Sequence, residues 1–198
     1  MKINKNRQTL ILASRSPRRT ELLKQIGIDC IVLPANIDES LKQDELPSQY
    51  VKRLAKEKAL ATASNMKKEY SNLVVLAADT TVCVGSKVLG KPENDADALQ
   101  MLKSLSGTTH EVHTAVAAYF NGKVSVMLNT TTVKMMRLSK ETINVYIASG
   151  EHRDKAGSYG IQGRAATWIK HIEGSYSGVM GLPLFETAQL IKKVAAKK

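Results

Sequence analysis

The run Leu73-Val74-Val75-Leu76-Ala77-Ala78 is wholly apolar and is followed at once by Asp79-Thr80-Thr81. A strand with one wet face alternates polar and apolar side chains. An unbroken run of this length is the pattern of a strand buried on both faces, with helices covering the sheet. A carboxylate then ends a core strand. Asp79 is short and rigid there, which suits it to hold a metal ion or to accept a proton from an attacking water.

The rest of the chain supplies the covering helices and the neighbouring strands. Leu10 to Ala13 reads as a strand, Ser14-Arg15-Ser16 as a turn, and Ser16 as the N-cap of a helix with Pro17 at its first position. Gly27 stops that helix, and Ile28 to Leu33 is a second strand. Pro34 to Pro47 is an acidic loop, and a long helix begins near Ser48. Val51, Leu54, Ala55, Lys58, Ala59 and Thr62 share one face of it at helical spacing, so Lys58 lies inside an apolar stripe. The rest of the run Lys52 to Lys58 reads as a wet face. Val82 to Val88 continues as β structure around Gly85, Gly90-Lys91-Pro92 is a sharp exit, and a helix runs from Asn94 to about Leu105. His110 to Phe120 and Lys123 to Met136 flank Asn121-Gly122, the signature of a hairpin. Ser139 caps a further helix ending at Gly150, Asp154 to Arg164 is a glycine-rich loop, Ala166 to Ile172 reads as a strand, and Gly181-Leu182-Pro183 opens a final helix. No repeat or flexible linker divides residues 1–198, and the alternation predicts one α/β domain with a mixed twisted sheet.

Composition excludes several classes. Hydrophobic residues at 43% and charged residues at 24% describe a globular chain. No apolar stretch approaches the roughly 20 residues of a membrane helix, and the N-terminus has no signal-peptide core, so the expected compartment is the cytoplasm. The formal charge of +11 favours anionic partners, but basic residues are spread along the chain, aromatics are 5%, and no nucleic-acid motif accompanies them. Cys30 and Cys83 have no metal-ligand spacing and read as small buried hydrophobes. His110 and His113 are three apart on a strand, which sends them to opposite faces and argues against a shared metal; surface or hairpin positions are expected for them. His152 and His171 are isolated. Serine-hydrolase, zincin and P-loop signatures are absent.

Arg18 and Arg19 fall in the first turn of a helix, where free N–H groups and the macrodipole already favour an anion. Together with Ser14 and the serine-rich turn they form a phosphate cradle; the competing reading is that both side chains bend back into solvent. Should Lys58 and Lys91 join them, four cations would face the charges of a polyphosphate, with Asp79 left for a metal or a water. Glu39 is a candidate second carboxylate for a metal, or an ordinary loop acid.

Seven ordered segments then carry a resemblance: Leu12 to Arg19, Leu54 to Ala59, Ala78-Asp79-Thr80, Gly90-Lys91-Pro92, Leu105-Ser106-Gly107, Asp154 to Gly163 and Gly181 to Leu184. Over nearly its whole length the chain resembles the Maf family of nucleoside triphosphate pyrophosphatases. The resemblance implies a Maf/ITPase-like fold with two lobes around a central cleft. It implies hydrolysis of a nucleoside triphosphate to the monophosphate and pyrophosphate with a divalent cation, Mg2+ or Mn2+, and a homodimer. By matching position, Asp79 takes the place of the catalytic proton acceptor, and Arg18, Thr80 and Gln162 those that set nucleotide choice. Ser-Pro-Arg-Arg, the threonine after the aspartate and Tyr-Gly-Ile-Gln-Gly resemble the branch acting on dTTP and UTP, with modified pyrimidine nucleotides as a house-cleaning substrate. Gln162 has the amide donor and acceptor to pair with a pyrimidine edge. The alternatives are another nucleotide preference, such as 7-methyl-GTP, and a basic nucleic-acid- or septum-associated binding protein. No membrane partner and no specific nucleic acid are expected.

Overall fold

The computed structural model describes residues 9–195. Its centre is β3 (Val75–Val84). On one edge β3 pairs in parallel with β1 (Thr9–Leu12), which in turn pairs in parallel with β2 (Asp29–Val32). Further along the same edge it meets the short antiparallel β4 (Lys87–Leu89). Its other edge is covered by the antiparallel β5 (Thr109–Phe120), followed by β6 (Lys123–Met135) and β7 (Ile169–Glu173). The seven strands form one mixed sheet in the order β2-β1-β3-β5-β6-β7, with β4 beside β3. This is the mixed α/β architecture expected from the sequence.

Helices flank the sheet: α1 (Pro17–Gln25), α2 (Pro47–Asn65), α3 (Asp95–Leu105), α4 (Lys140–Ala148), the short α5 (Tyr176–Val179) and α6 (Leu184–Ala195). Local signals set their ends. Ser139 and Asn94 cap α4 and α3 with side-chain oxygens that accept from Thr142 N and Asp97 N. After α1, Gly27 at φ 76° donates to Lys24 O while Ile28 N donates to Leu23 O, the paired bonds of a left-handed C-terminal turn.

The core is divided along the strands. Near β1 both sheet faces are apolar: Leu10, Leu12, Leu76, Ala78 and Val116 pack on α1 and α6, while Ile11, Ala13, Val75, Ala77 and Ala115 pack on α2. At the far end Val82, Leu89, Val112 and Val133 pack with α3, α4, Tyr159 and Trp168. Between these two apolar bodies the same strands carry Asp79, Thr80, Thr81, His113 and Thr114. Two lobes therefore share one sheet, with a polar waist between them.

Several expectations need correction. Asp79 does not end its strand: β3 continues through it to Val84, because β5 stays paired with it as far as Cys83. The segment expected to be a strand from Ala166 begins as a 3-10 turn, Arg164–Trp168, which tucks Ala165 and Trp168 into the core before β7 starts at Ile169. His110 and His113 do sit on a strand of the hairpin, β5, but are buried, at 2% and 7% exposure: His110 lies against the Tyr159 hydroxyl of the late loop at 2.7 Å, and His113 against Thr130 of β6 at 2.9 Å. Cys30 is only half-buried, and His152 has a partner, with Nε2 3.0 Å from Asp95 Oδ1.

Candidate active site

The register of β3 leaves an opening. On one edge β1 pairs at Val75 and Leu76 and β4 at Val82 to Val84, so among the described residues no strand faces positions 77–81 there. Strand pleating sends Asp79 and Thr80 to opposite faces of the sheet.

On the α2 face, Val51, Leu54, Ala55, Lys58, Ala59 and Thr62 are the buried stripe that the spacing predicts. Lys58 Nζ lies 2.6 Å from Asp79 Oδ1 and 2.9 Å from Glu39 Oε1. The anion that an inward lysine requires is thus supplied by two of the chain's own carboxylates. Burial raises the Asp79 carboxyl above its ordinary range, and the charges of Lys58 and Arg19 pull against that shift.

Glu39 owes its position to residues that the sequence reading set aside. Arg53 grips Glu45 with two 2.7 Å bonds, donates to Ser40 O at 2.9 Å and reaches Glu57 at 3.2 Å. Tyr50 donates to Glu39 O at 2.8 Å. Arg53 is therefore no part of a wet face. It clamps the acidic loop back onto α2, and only the fold reveals this because its partners come from the loop.

On the opposite face Arg19 turns inward, not into solvent. Its Nε donates to Gly181 O at 2.8 Å, and its two terminal nitrogens lie 3.1 Å from Ser14 Oγ and 3.4 Å from Thr80 Oγ1. Ser14 Oγ also accepts from Ser16 N at 3.2 Å. Thr114, which the sequence did not single out, lies 3.0 Å from Thr80 Oγ1 and donates to Gly178 O at 2.8 Å. Burial lowers the Arg19 pKa, opposed by Asp79 and reinforced by Arg18. Meanwhile α1 has no acid in its first turn, and Ser16, its N-cap as predicted, makes no side-chain cap bond. Backbone N–H groups and cations converge without a counter-anion among these residues.

The glycine-rich loop closes the far side. Gly157, at φ 67°, donates to Gly90 O at 2.9 Å, and a Cβ there would meet Val82 at 3.0 Å. That bond ties the loop to the turn carrying Lys91. Arg18 is half-buried, and its charge lowers the pKa of Lys155 after burial, placing a further cation beside it. The Lys155 stem lies where a Gly160 side chain would be, and its ammonium donates to Glu151 O. Lys91 and Gln162 are exposed and stand outside both bonded groups, Glu39–Lys58–Asp79 on one face and Ser14–Arg19–Thr80 on the other.

The two carboxylates converging on one ammonium offer hard oxygen donors about a position already filled by positive charge, a donor set that suits a divalent cation.

The profile of the Maf-like protein family matches residues 9–194. The dTTP/UTP pyrophosphatase of Methylobacillus flagellatus is 55% identical over 97% of this chain and 94% of its own length. That of Nitrosomonas europaea is 48% identical over 93% of each chain, and the nucleoside triphosphate pyrophosphatase of Haemophilus ducreyi is 43% identical over 93% and 94%. The solved Staphylococcus aureus Ham1 protein superposes with a TM-score of 0.44 at 14% identity, over 73% of this chain and 98% of that one. A family match spanning both lobes, with these relatives aligned almost end to end, establishes that the chain belongs to the Maf-like family.

Proposed function

We propose that the chain is a nucleoside triphosphate pyrophosphatase acting on dTTP and UTP. The observation that carries this reading is the buried Asp79 carboxylate beside a gap in the sheet, with Arg19 and the open N-terminus of α1 on the other face. The relatives named for dTTP and UTP support the same activity.

The triphosphate lies against the first turn of α1, where free N–H groups, Ser14 and Arg19 take its negative charge. Arg18, Lys155 and Lys91 line the way in. Asp79 accepts a proton from water as the water oxygen bonds to phosphorus at the α–β anhydride; the anhydride bond breaks and pyrophosphate leaves. Lys58 pulls against the burial that raises the Asp79 pKa and fixes one carboxylate oxygen through its 2.6 Å contact. Asp79 and Glu39 are the carboxylates that would hold Mg2+ or Mn2+, and the ion would supply charge neutralisation at the phosphates. Thr80, fixed by Arg19 and Thr114, presents a rigid edge to the nucleotide, and the exposed amide of Gln162 is free to pair with a pyrimidine. The same reading carries a cytoplasmic homodimer acting on free nucleotides, its size to be measured in solution.

Purified chain with Mg2+ or Mn2+ and a panel of nucleotides tests the proposal. Pyrophosphate release from dTTP and UTP well above the others is expected. Preference for 7-methyl-GTP, or no pyrophosphate from any triphosphate, would overturn it.

A further inference from the structure

Cys83, Glu111 and His113 serve no part of the proposed hydrolysis, yet the fold gathers them. Glu111 and His113 are two apart on β5 and point to one face, and Cys83 of β3 is registered directly opposite Glu111. The Cys83 sulfur, a His113 nitrogen and a Glu111 carboxylate oxygen all lie within 4.8 Å of one another. His113 Nε2 is 3.4 Å from Glu111 Oε2, about the separation of two ligands on a tetrahedral ion with bonds near 2 Å.

The surroundings are those of a built site. His113 Nδ1 is 2.9 Å from Thr130 Oγ1, so a proton on Nδ1 donated to Thr130 leaves the Nε2 lone pair facing Glu111. Thr81, registered opposite His113 and two before Cys83, shares the face, is 1% exposed, and its Oγ1 has no hydrogen-bond partner among the described residues. Such an orphan hydroxyl is costly unless something satisfies it. Water completing the coordination of an ion at this site would do so. Glu111, half-exposed, leaves a path from solvent.

We propose that Cys83, His113 and Glu111 form a site for a borderline-soft divalent ion, Zn2+ in the first instance, separate from the hard-cation position at Asp79. The thiol–imidazole–carboxylate set selects Zn2+ over Mg2+. Binding replaces the thiol proton: the S–H bond breaks, a metal–sulfur bond forms, and the proton goes to solvent. The ion would join β3 to β5 just beyond the strand segment that carries Asp79. This inference stands independently of the nucleotide reading.

Co2+ titration of the full chain carrying Cys30→Ser tests it, since only Cys83 then provides a thiolate. Saturation at one equivalent with a thiolate-to-cobalt charge-transfer band is expected, and one equivalent of Zn2+ should displace it. Cys83→Ser should abolish the band, and Asp79→Asn should leave it intact. Thr130→Val, which keeps all three ligands, should weaken Zn2+ binding about 10–100-fold against a chromophoric chelator. Glu111→Gln, at an exposed position that cannot compromise the core, should also weaken it. Absence of the band in folded protein, its survival in Cys83→Ser, or its loss in Asp79→Asn would overturn the site.

Discussion

Lys58 and Asp79 form a buried ion pair, Nζ to Oδ1 2.6 Å, that joins α2 to the centre of β3 at the open edge of the sheet. Two opposed effects meet in it: burial favours the neutral carboxyl, and the ammonium favours the ionised one. A poised carboxylate is the consequence.

Asp79→Asn should lower kcat about 10²–10⁴-fold, the range of a lost general base, with the fold retained. Because burial holds the Asp79 pKa above its ordinary value, the rate should fall with decreasing pH through a limb above the usual carboxylate range of about 4. Initial rates between pH 4 and 9 check this; a limb at or below 4 would remove Asp79 as the titrating base.

Lys58→Met should destabilise the protein at neutral pH by up to about 3–5 kcal/mol, since it leaves a buried carboxylate unpaired. Its loss raises the folded pKa of Asp79 further above the unfolded one. The penalty is therefore present at high pH and relieved as pH falls through the raised value. Urea unfolding at pH 8 and pH 5 should show the gap to the unmodified chain narrowing at the lower pH.

Arg19→Lys keeps the charge but cannot span Gly181 O, Ser14 Oγ and Thr80 Oγ1 at once. At about 1.5–3 kcal/mol for a charge-assisted bond, kcat/KM for dTTP should fall roughly 10–100-fold, chiefly through KM. Steady-state kinetics decide. An unchanged KM would mean that Arg19 only braces the turn.

Arg53→Lys should loosen the acidic loop without unfolding α2, because the two-pronged grip on Glu45 is lost. Amide exchange in residues 34–46 should quicken about tenfold, and activity should drop as Glu39 drifts from Lys58. Hydrogen-exchange mass spectrometry reads the first effect directly.

His110 is pushed down to about 4 by burial, with Nε2 2.7 Å from the Tyr159 hydroxyl that pins the glycine-rich loop. Its folded pKa lies below its unfolded one near 6.5, so the unfolded chain binds the extra proton in that window. Stability should fall by about 3 kcal/mol as pH drops from 6.5 to 4. His110→Gln should flatten that part of the Tm-against-pH curve.

Local patterns were enough for much of this molecule. The apolar run before Asp79, the six-residue stripe on α2, the Ser16-Pro17 start of α1 and the Asn121-Gly122 turn each depend on neighbours within a few residues. Backbone sterics and helical or strand periodicity therefore determine them wherever they occur. Ordered motifs were likewise legible as a family. Contacts between residues distant in sequence were not. That Arg19 turns inward to Gly181, that Arg53 clamps the loop bearing Glu39, and that β1 and β4 leave a gap on β3 all depend on strand register and helix docking. The histidine pair shows the division most plainly: pleating sends His110 and His113 to opposite faces, as the spacing requires, but only the β3–β5 register brings Cys83 to the side where His113 and Glu111 lie. Periodicity dictates which way a side chain points; tertiary packing decides what it meets, because the meeting partner is chosen by long-range burial that no local window contains.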